Sequence, residues 1–533
     1  MTALEQYKIQ REELIKLDRS LRRDHQVTSL SAAEAEADQI IRKIRAAEAT
    51  SIWSLDYPSI PHPFPGMEFL TGREIIVKTK LFEILSRMPK GALLHAHLDG
   101  MVNVSILLKL ALKYPSIHVR APKSLTTQNI DAVAPEFLPL PKNEYPKSAL
   151  GLTETSYQPN SWVPIQVARE QFHPDLGGPQ GFDRWVTRAL TINPSEAYGT
   201  HNTSVKIWKK FGSTFLVGGN LTRYAPILED YIKEFFHSSI EDGISYVEPR
   251  VNFMSKTVIM ADGTRVHHRE LMVIYDRVIR EVKEEMKRRG REGEFIGARI
   301  IYSTVRFCDN KELEWYLQDC IALKKEFPHL IAGFDLVGHE DELYPLIYYA
   351  ETLLRFPAMQ KEAGVEIPFI FHAGETLGDG TVADMNLYDA ILMGTKRIGH
   401  GFSLVKHPEL LKICKERDIA VEVCPISNEI LRLTSSMLTH PLPILLNHGI
   451  HVALCSDDPS VFGNMGLTFD YFQVLVASEQ TGLIQLGEMA KDSIKYSTLE
   501  AHLREEALGL WQKQWHKFLE YVIAVGKEAL PSN

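Results

Sequence analysis

Cysteine is scarce in this chain. There are five in 533 residues (Cys308, Cys320, Cys414, Cys424 and Cys455), an odd number without a C-x-x-C pair. That excludes a disulfide framework and predicts reduced thiols in the cytoplasm. Long apolar runs are missing too. None reaches about 18 residues, so no membrane association is predicted. The opening stretch, MTALEQYKIQREELIKLDRSLRR, is charged throughout and lacks the apolar centre of a secretory signal. The sequons at Asn103, Asn202 and Asn220 are therefore read as chance matches. Positive charge is not in excess: 59 Lys and Arg against 68 Asp and Glu give a net charge of −9, which argues against a nucleic-acid partner. No G-x-S-x-G elbow, Walker loop or H-x-E…P-C-x-x-C zinc signature occurs.

What is present reads as a globular chain, 44% hydrophobic and 24% charged, and too long for one small domain. Residues 1–70 read as a helical extension. Thr2-x-x-Glu5 and Ser31-x-x-Glu34 are capping-box patterns, in which a hydroxyl and a carboxylate satisfy free N–H groups. Leu14, Leu17 and Leu21 share one helix face; Ile40, Ile41 and Ile44 share another. Such faces pack either on their own body or on a partner subunit. The prolines of YPSIPHPFPG (57–66) stop the helical pattern, and a third helix is predicted over 71–88, capped by Thr71 and Glu74.

From Gly91 the pattern changes to short runs rich in β-branched residues alternating with helical stretches. Eight runs end in polar or glycine residues: 92–100, 244–252, 298–306, 331–340, 368–375, 396–402, 420–427 and 450–459. Eight β/α repeats predict an α/β fold, a closed (β/α)8 TIM barrel over 71–533. A bare barrel needs roughly 250 residues. The excess falls mainly between the first two runs, where 115–179 holds ten prolines, and is read as an insertion over 115–185 after strand 1.

Active sites of such barrels lie at the C-terminal strand ends, where the chemistry-bearing residues of this chain collect. His95 and His97, at i and i+2 on one strand, point the same way. Alone, H-x-H fits a metal pair or two hydrogen-bonded core histidines. His372 with Glu375, His400 between two glycines, and adjacent Asp457 and Asp458 join them at other strand ends. Buried imidazoles and carboxylates are costly without partners. Three neutral imidazoles with one carboxylate form a nitrogen/oxygen set that suits zinc. The fourth run, GFDLVGHE, has no lysine to bridge two metals, so one ion is predicted.

The ordered set HAHLDG, DLVGHE, FHAGET, RIGHGF, EVCPISN and SDDP resembles the adenosine deaminases. MPKGALLHAH, GFDLVGHEDE, CPISNEIL and SIKYS look most like the adenosine deaminase-related growth factor (ADA2-like) branch, over about residues 70 to 520. The resemblance implies a metal-dependent hydrolase barrel, one Zn2+ per chain, and removal of the 6-amino group of adenosine, with 2′-deoxyadenosine a further substrate. It implies His95, His97, His372 and Asp457 as zinc ligands, and Glu375, His400 and Asp457 as catalytic groups: the acid beside purine N1, the histidine beside the attacking water, and the acceptor of its proton. Asp458 would face N7, the Gly338 N–H would face N3, and Asp99 would face the ribose. It also implies a homodimer through the N-terminal helices. Trp208 reads either as a ribose neighbour or as a packed core residue, and His339 and Glu340 carry no assignment. Secreted members of the branch carry a signal and a cysteine-bridged insertion; this chain shows neither pattern before Cys308. Two alternatives stand beside adenosine: another 6-substituted purine (AMP, N6-methyl-AMP or adenine), and a non-catalytic growth-factor-like role.

Overall fold

Apolar runs buried on both faces are what a parallel sheet covered by helices requires, and all eight runs form such strands. The computed structural model describes residues 1–147 and 150–529. The strands are β1 (Gly91–Leu93), β2 (Ile244–Val247, resumed at Arg250–Asn252), β3 (Ile300–Val305), β4 (Ile331–Val337), β5 (Phe371–Ala373), β6 (Arg397–His400), β7 (Ala420–Val423) and β8 (Val452–Leu454). Every neighbouring pair is parallel. Ala92 lies opposite Tyr246, Val251 opposite Tyr302, Ser303 opposite Asp335, His372 opposite Gly399, and Glu422 opposite both Gly399 and Ala453. Two short bridges complete the ring. Phe334 donates its N–H to Pro368 O and accepts from Ile370, joining β4 to β5. Beyond β8, Asp457 pairs with Ala96 beyond β1, through His97 N–H to Asp457 O at 3.1 Å and Asp457 N–H to His95 O at 3.2 Å. The barrel thus closes through the backbone of His95, Ala96, His97 and Asp457.

The N-terminal helices are α1 (Ala3–Asp18) and α2 (Ala32–Ser51), each opened by the capping box read from sequence. α2 buries Ile40, Ile41 and Ile44 against the long C-terminal helix. α1 buries no residue at all. The single helix predicted over 71–88 is two: α3 (Phe69–Ile76) and α4 (Lys80–Leu85). Thr71 lies inside α3 and caps nothing. The first N–H of α3, from Phe69, instead donates to Glu429, 360 residues away, at 3.1 Å, and Thr79 caps α4.

Between β1 and β2 the chain forms a small antiparallel sheet (Ile117–Arg120, Glu136–Pro139 and Val163–Pro164) and then helices, among them α5 (Ser204–Thr222). Ile192 N–H donates to Val461 O at 3.0 Å, which fixes this segment to the loop after β8, on the C-terminal side of the barrel. The last helix, α6 (Ala501–Ala529), crosses beneath the barrel. Among the described residues no helix is long and apolar enough to cross a membrane.

Candidate active site at the C-terminal mouth

The strand ends bring three imidazoles to one point. His95 and His97 follow β1 and His372 sits on β5, with ring centroids 4.5 to 5.6 Å apart. One ring nitrogen from each lies within 4.8 Å of the others. Asp457 Oδ1 stands 3.5 Å from His95 Nε2 and 3.3 Å from His97 Nε2. His95 Nε2 and Asp457 Oδ1 are buried and have no hydrogen-bond partner. A buried polar atom left unpaired costs about 1–3 kcal/mol; two of them facing one point fit a cation.

The outer nitrogens of two rings are anchored. His95 Nδ1 lies 2.7 Å from Glu422 Oε2, and His372 Nδ1 lies 2.6 Å from Asp335 Oδ2. Each Nδ1–H donates to a carboxylate, so each Nε2 lone pair is free to face the centre, the arrangement metal-binding histidines need. Both carboxylates accept from one buried guanidinium: Arg250 donates to Asp335 at 2.9 Å and to Glu422 at 2.8 Å. Arg397 then joins Glu422, at 2.5 Å, to Glu248, at 2.7 Å. These arginines hold the Glu422 carboxyl well below the usual range although burial opposes them. Burial pushes the His372 imidazole down to about 3, so it is neutral, as a ligand must be.

His400 and Asp457 both have positive φ, +61° and +60°, a conformation few side chains adopt. Gly399 makes room: a Cβ there would lie 2.9 Å from the His95 ring. The tautomer of His400 follows from a chain of contacts. Leu442 N–H donates to His440 Nδ1 at 3.1 Å, so the neutral His440 carries its proton on Nε2 and donates it to Asn428 Oδ1 at 3.0 Å. That turns Asn428 Nδ2 towards His400 Nδ1 at 3.1 Å. His400 therefore holds its proton on Nε2, 3.9 Å from Asp457 Oδ2. Ser427 also donates to that oxygen, at 2.7 Å.

Glu375 is buried beside His400, its Oε1 3.5 Å from Nδ1 and without a hydrogen bond. Burial first, then the carboxylates of Asp457 and Glu340, push its carboxyl well above the usual range, which favours its protonated form. Burial, Asp457 and Asp99 do the same to Asp458. Asp457 goes the other way. Burial would raise it, but the imidazoles of His95 and His97, facing it at 3.5 and 3.3 Å, and the nearby His400 hold it well below the usual range. Gly100 lets Asp458 lie against the turn at Asp99, since a Cβ there would fall 2.3 Å from Asp458 Oδ1. Gly338, at φ +108°, ends β4 below this site.

Glu340, unassigned from sequence, accepts from Gly374 N–H at 3.2 Å, Glu375 N–H at 2.9 Å and Asn386 at 2.6 Å, and so fixes the loop that carries Glu375. Trp208, on α5, stacks on His339 at 4.5 Å and 12°. It is half-buried, packing on the edge of the main core through Phe211 and on the loop after β4 through His339. Sequence reading missed Arg250, Asp335, Glu422, Asn428 and His440. Their signal is a charged or amide group inside an otherwise apolar run. A further cluster brings Cys424 to His95 and His400, and burial pushes its thiol well up.

The family model described as adenosine deaminase matches residues 192–512. Pig adenosine deaminase 2 is 35% identical over 461 residues, 85% of this chain and 84% of that protein. Human adenosine deaminase 2 is 31% identical over 499 residues, 92% and 89% of the two chains. Among solved structures, an Arabidopsis N6-mAMP deaminase superposes with a TM-score of 0.54 at 17% identity, over 81% of this chain and 99% of that one; this likeness concerns the fold alone.

Proposed function

This chain belongs to the adenosine deaminase family, and from that premise we propose that, with one zinc ion, it hydrolyses adenosine to inosine and 2′-deoxyadenosine to 2′-deoxyinosine, releasing ammonia. The observation that supports this most is the meeting of His95, His97, His372 and Asp457, with the His95 Nε2 and a carboxylate oxygen left unpaired, beside a carboxyl that burial pushes towards its protonated form. Those four side chains would hold the ion, which supplies Lewis-acid activation of water at neutral pH.

The protein's own groups perform the rest. Asp457, held as an anion, accepts the proton that water gives up. His400 presents Nε2–H to the attacking oxygen and fixes its approach. As C6 becomes tetrahedral, negative charge gathers on N1, and Glu375 supplies the proton there. The C6–N bond then breaks as the amine takes the proton held by Asp457 and leaves as ammonia, and the C6 hydroxyl proton returns to Glu375 as the carbonyl forms. Acid assistance of this kind is typically worth about 10² to 10⁴ in rate. The protonated Asp458 donates to N7, the Gly338 N–H faces N3, and Asp99 receives the ribose hydroxyls. A carboxylate at that end repels a 5′-phosphate, which favours the nucleoside over AMP. The exposed leucines of α1 support a homodimer through this helix, and five free thiols, all buried, suit a reducing compartment.

The test is the absorbance change from adenosine to inosine with zinc-loaded protein, repeated after chelation, after zinc is returned, and with AMP in place of adenosine. Conversion that is lost on chelation, regained with zinc and faster with adenosine is the expected result. A zinc-loaded protein that turns over AMP but not adenosine, or neither, overturns the proposal.

A further inference from the structure

At the opposite end of the barrel lies a cavity of about 1020 Å3. It opens where β4, β5 and β6 begin, at Ile331, Pro368 and Lys396, and the first turns of α6 cover it with Arg504 and Leu508. Seven cationic side chains and three carboxylates line it, in a chain whose net charge is −9. Some of the cations are spoken for. Arg299 is held by Glu500, Lys495 faces Asp418 at 3.8 Å, and Lys324 donates to the carbonyls of Pro328 and Ile331 at 2.8 and 2.7 Å. Lys396, Arg417 and Arg504 pair with no carboxylate among the described residues; Arg417 donates only to Ile391 O, at 3.3 Å.

The innermost cation, Arg397, is buried and neutralised by Glu248 and Glu422. Thr498, also in the wall, donates both its N–H and its hydroxyl to Glu248, at 2.6 and 2.7 Å. The inner wall is thus finished and rigid, while the outer positive charge is not compensated. Like charges around one cleft repel one another, and a bound anion relieves this.

We infer that this floor cavity binds a small anion carrying several phosphate groups, a polyphosphate or a nucleoside polyphosphate. Arginine and lysine together are the side chains that hold phosphate oxygens. The volume is that of a pocket for a nucleotide-sized ligand, about 300–1,000 Å3. With Arg397 and Arg299 neutralised by carboxylates behind the wall, five cations face three carboxylates, and the excess of two positive charges matches a multiply charged anion. Val365, Ile391 and Leu508 give the cavity an apolar side against which a nucleoside end can lie. The site is separate from the catalytic mouth and does not depend on what that mouth turns over.

Isothermal titration of the zinc-loaded protein with sodium tripolyphosphate, with UTP and with inorganic phosphate tests this. UTP has no 6-aminopurine and so does not act as a substrate analogue. Saturable binding of tripolyphosphate at one site per chain is expected, at least tenfold tighter than inorganic phosphate and weakened at least tenfold in the Lys396→Glu/Arg504→Glu double variant. UTP tighter than tripolyphosphate assigns the apolar wall to a nucleoside; equal affinity assigns the site to the phosphate chain alone. Zinc content is measured after each titration. No saturable heat, an equal heat in the double variant (the signature of zinc being stripped), or inorganic phosphate binding as tightly as tripolyphosphate each overturns the proposal. If the double variant unfolds, Arg417→Glu alone, whose guanidinium is exposed, is titrated in its place against the same thresholds.

Discussion

The two mouths of this barrel are built from the same eight strands and carry opposite chemistry. At the C-terminal mouth, imidazoles and carboxylates crowd together with buried atoms left unpaired. At the floor, guanidinium and ammonium groups gather around open space. Between them stands a buried column in which every charge is answered: Glu248, Arg397, Glu422, Arg250 and Asp335, ending on His95 and His372. The contrast shows where incomplete satisfaction marks function. The column is complete and holds things still; the two ends are incomplete and await ligands.

The largest expected effect breaks the upper mouth alone. Glu375→Gln removes the proton donor but no metal ligand, so turnover should fall by about 10² to 10⁴ while zinc content by atomic absorption stays near one per chain. Activity within tenfold of the parent would remove Glu375 from its role. The same assignment fixes a pH dependence. The donor works while protonated, and burial with Asp457 and Glu340 raises its carboxyl. The rate with the parent should therefore hold at neutral pH and fall as pH rises through that raised value; a rate that climbs with pH there contradicts it.

A smaller effect tests the column. Glu422→Gln takes away the charge behind His95 without touching the metal-facing atoms. Loss of such a partner typically weakens metal affinity by about 10–100-fold, measured by competition with a chelator on folded protein. Unchanged zinc affinity would reduce the column to scaffolding. The smallest effect on chemistry belongs to α1. Leu14 and Leu17 are 66% and 70% exposed, whereas Ile41 of α2 is fully buried. Leu14→Glu/Leu17→Glu should leave the melting temperature of the barrel within about 2 °C, since exposed sites lie within about 0.5 kcal/mol, and should shift the protein from dimer to monomer in sedimentation. A parent already monomeric at micromolar concentration would dismiss the dimer.

The strand ends were legible because a polar residue closing an apolar run interrupts a period of two, and that needs no neighbour to be noticed. His95, His97, His372, His400 and Asp457 all announce themselves in this way. Arg250, Asp335 and Glu422 do not. They lie within their runs, and their meaning depends on which strands face one another across the barrel, which only closure decides. The start of α3 was misread for a similar reason. A local hydroxyl and carboxylate at Thr71 and Glu74 looked like a cap, but Glu429, from the far side of the sequence, reaches Phe69 first. The leucines of α1, which ends at Asp18 and so leaves Leu21 outside it, and the isoleucine stripe of α2 show the limit of periodicity. It says that a face is apolar, not what covers it.

His400 and Asp457 keep backbone angles that cost of order 1–3 kcal/mol each at a site unable to relax, and glycine would tolerate both without complaint. A search for heat-resistant variants of this chain would therefore be drawn towards relaxing the two turns that make it an enzyme. The sturdiest protein from such a selection would be a poor catalyst, and melting point should never be used alone to rank its descendants.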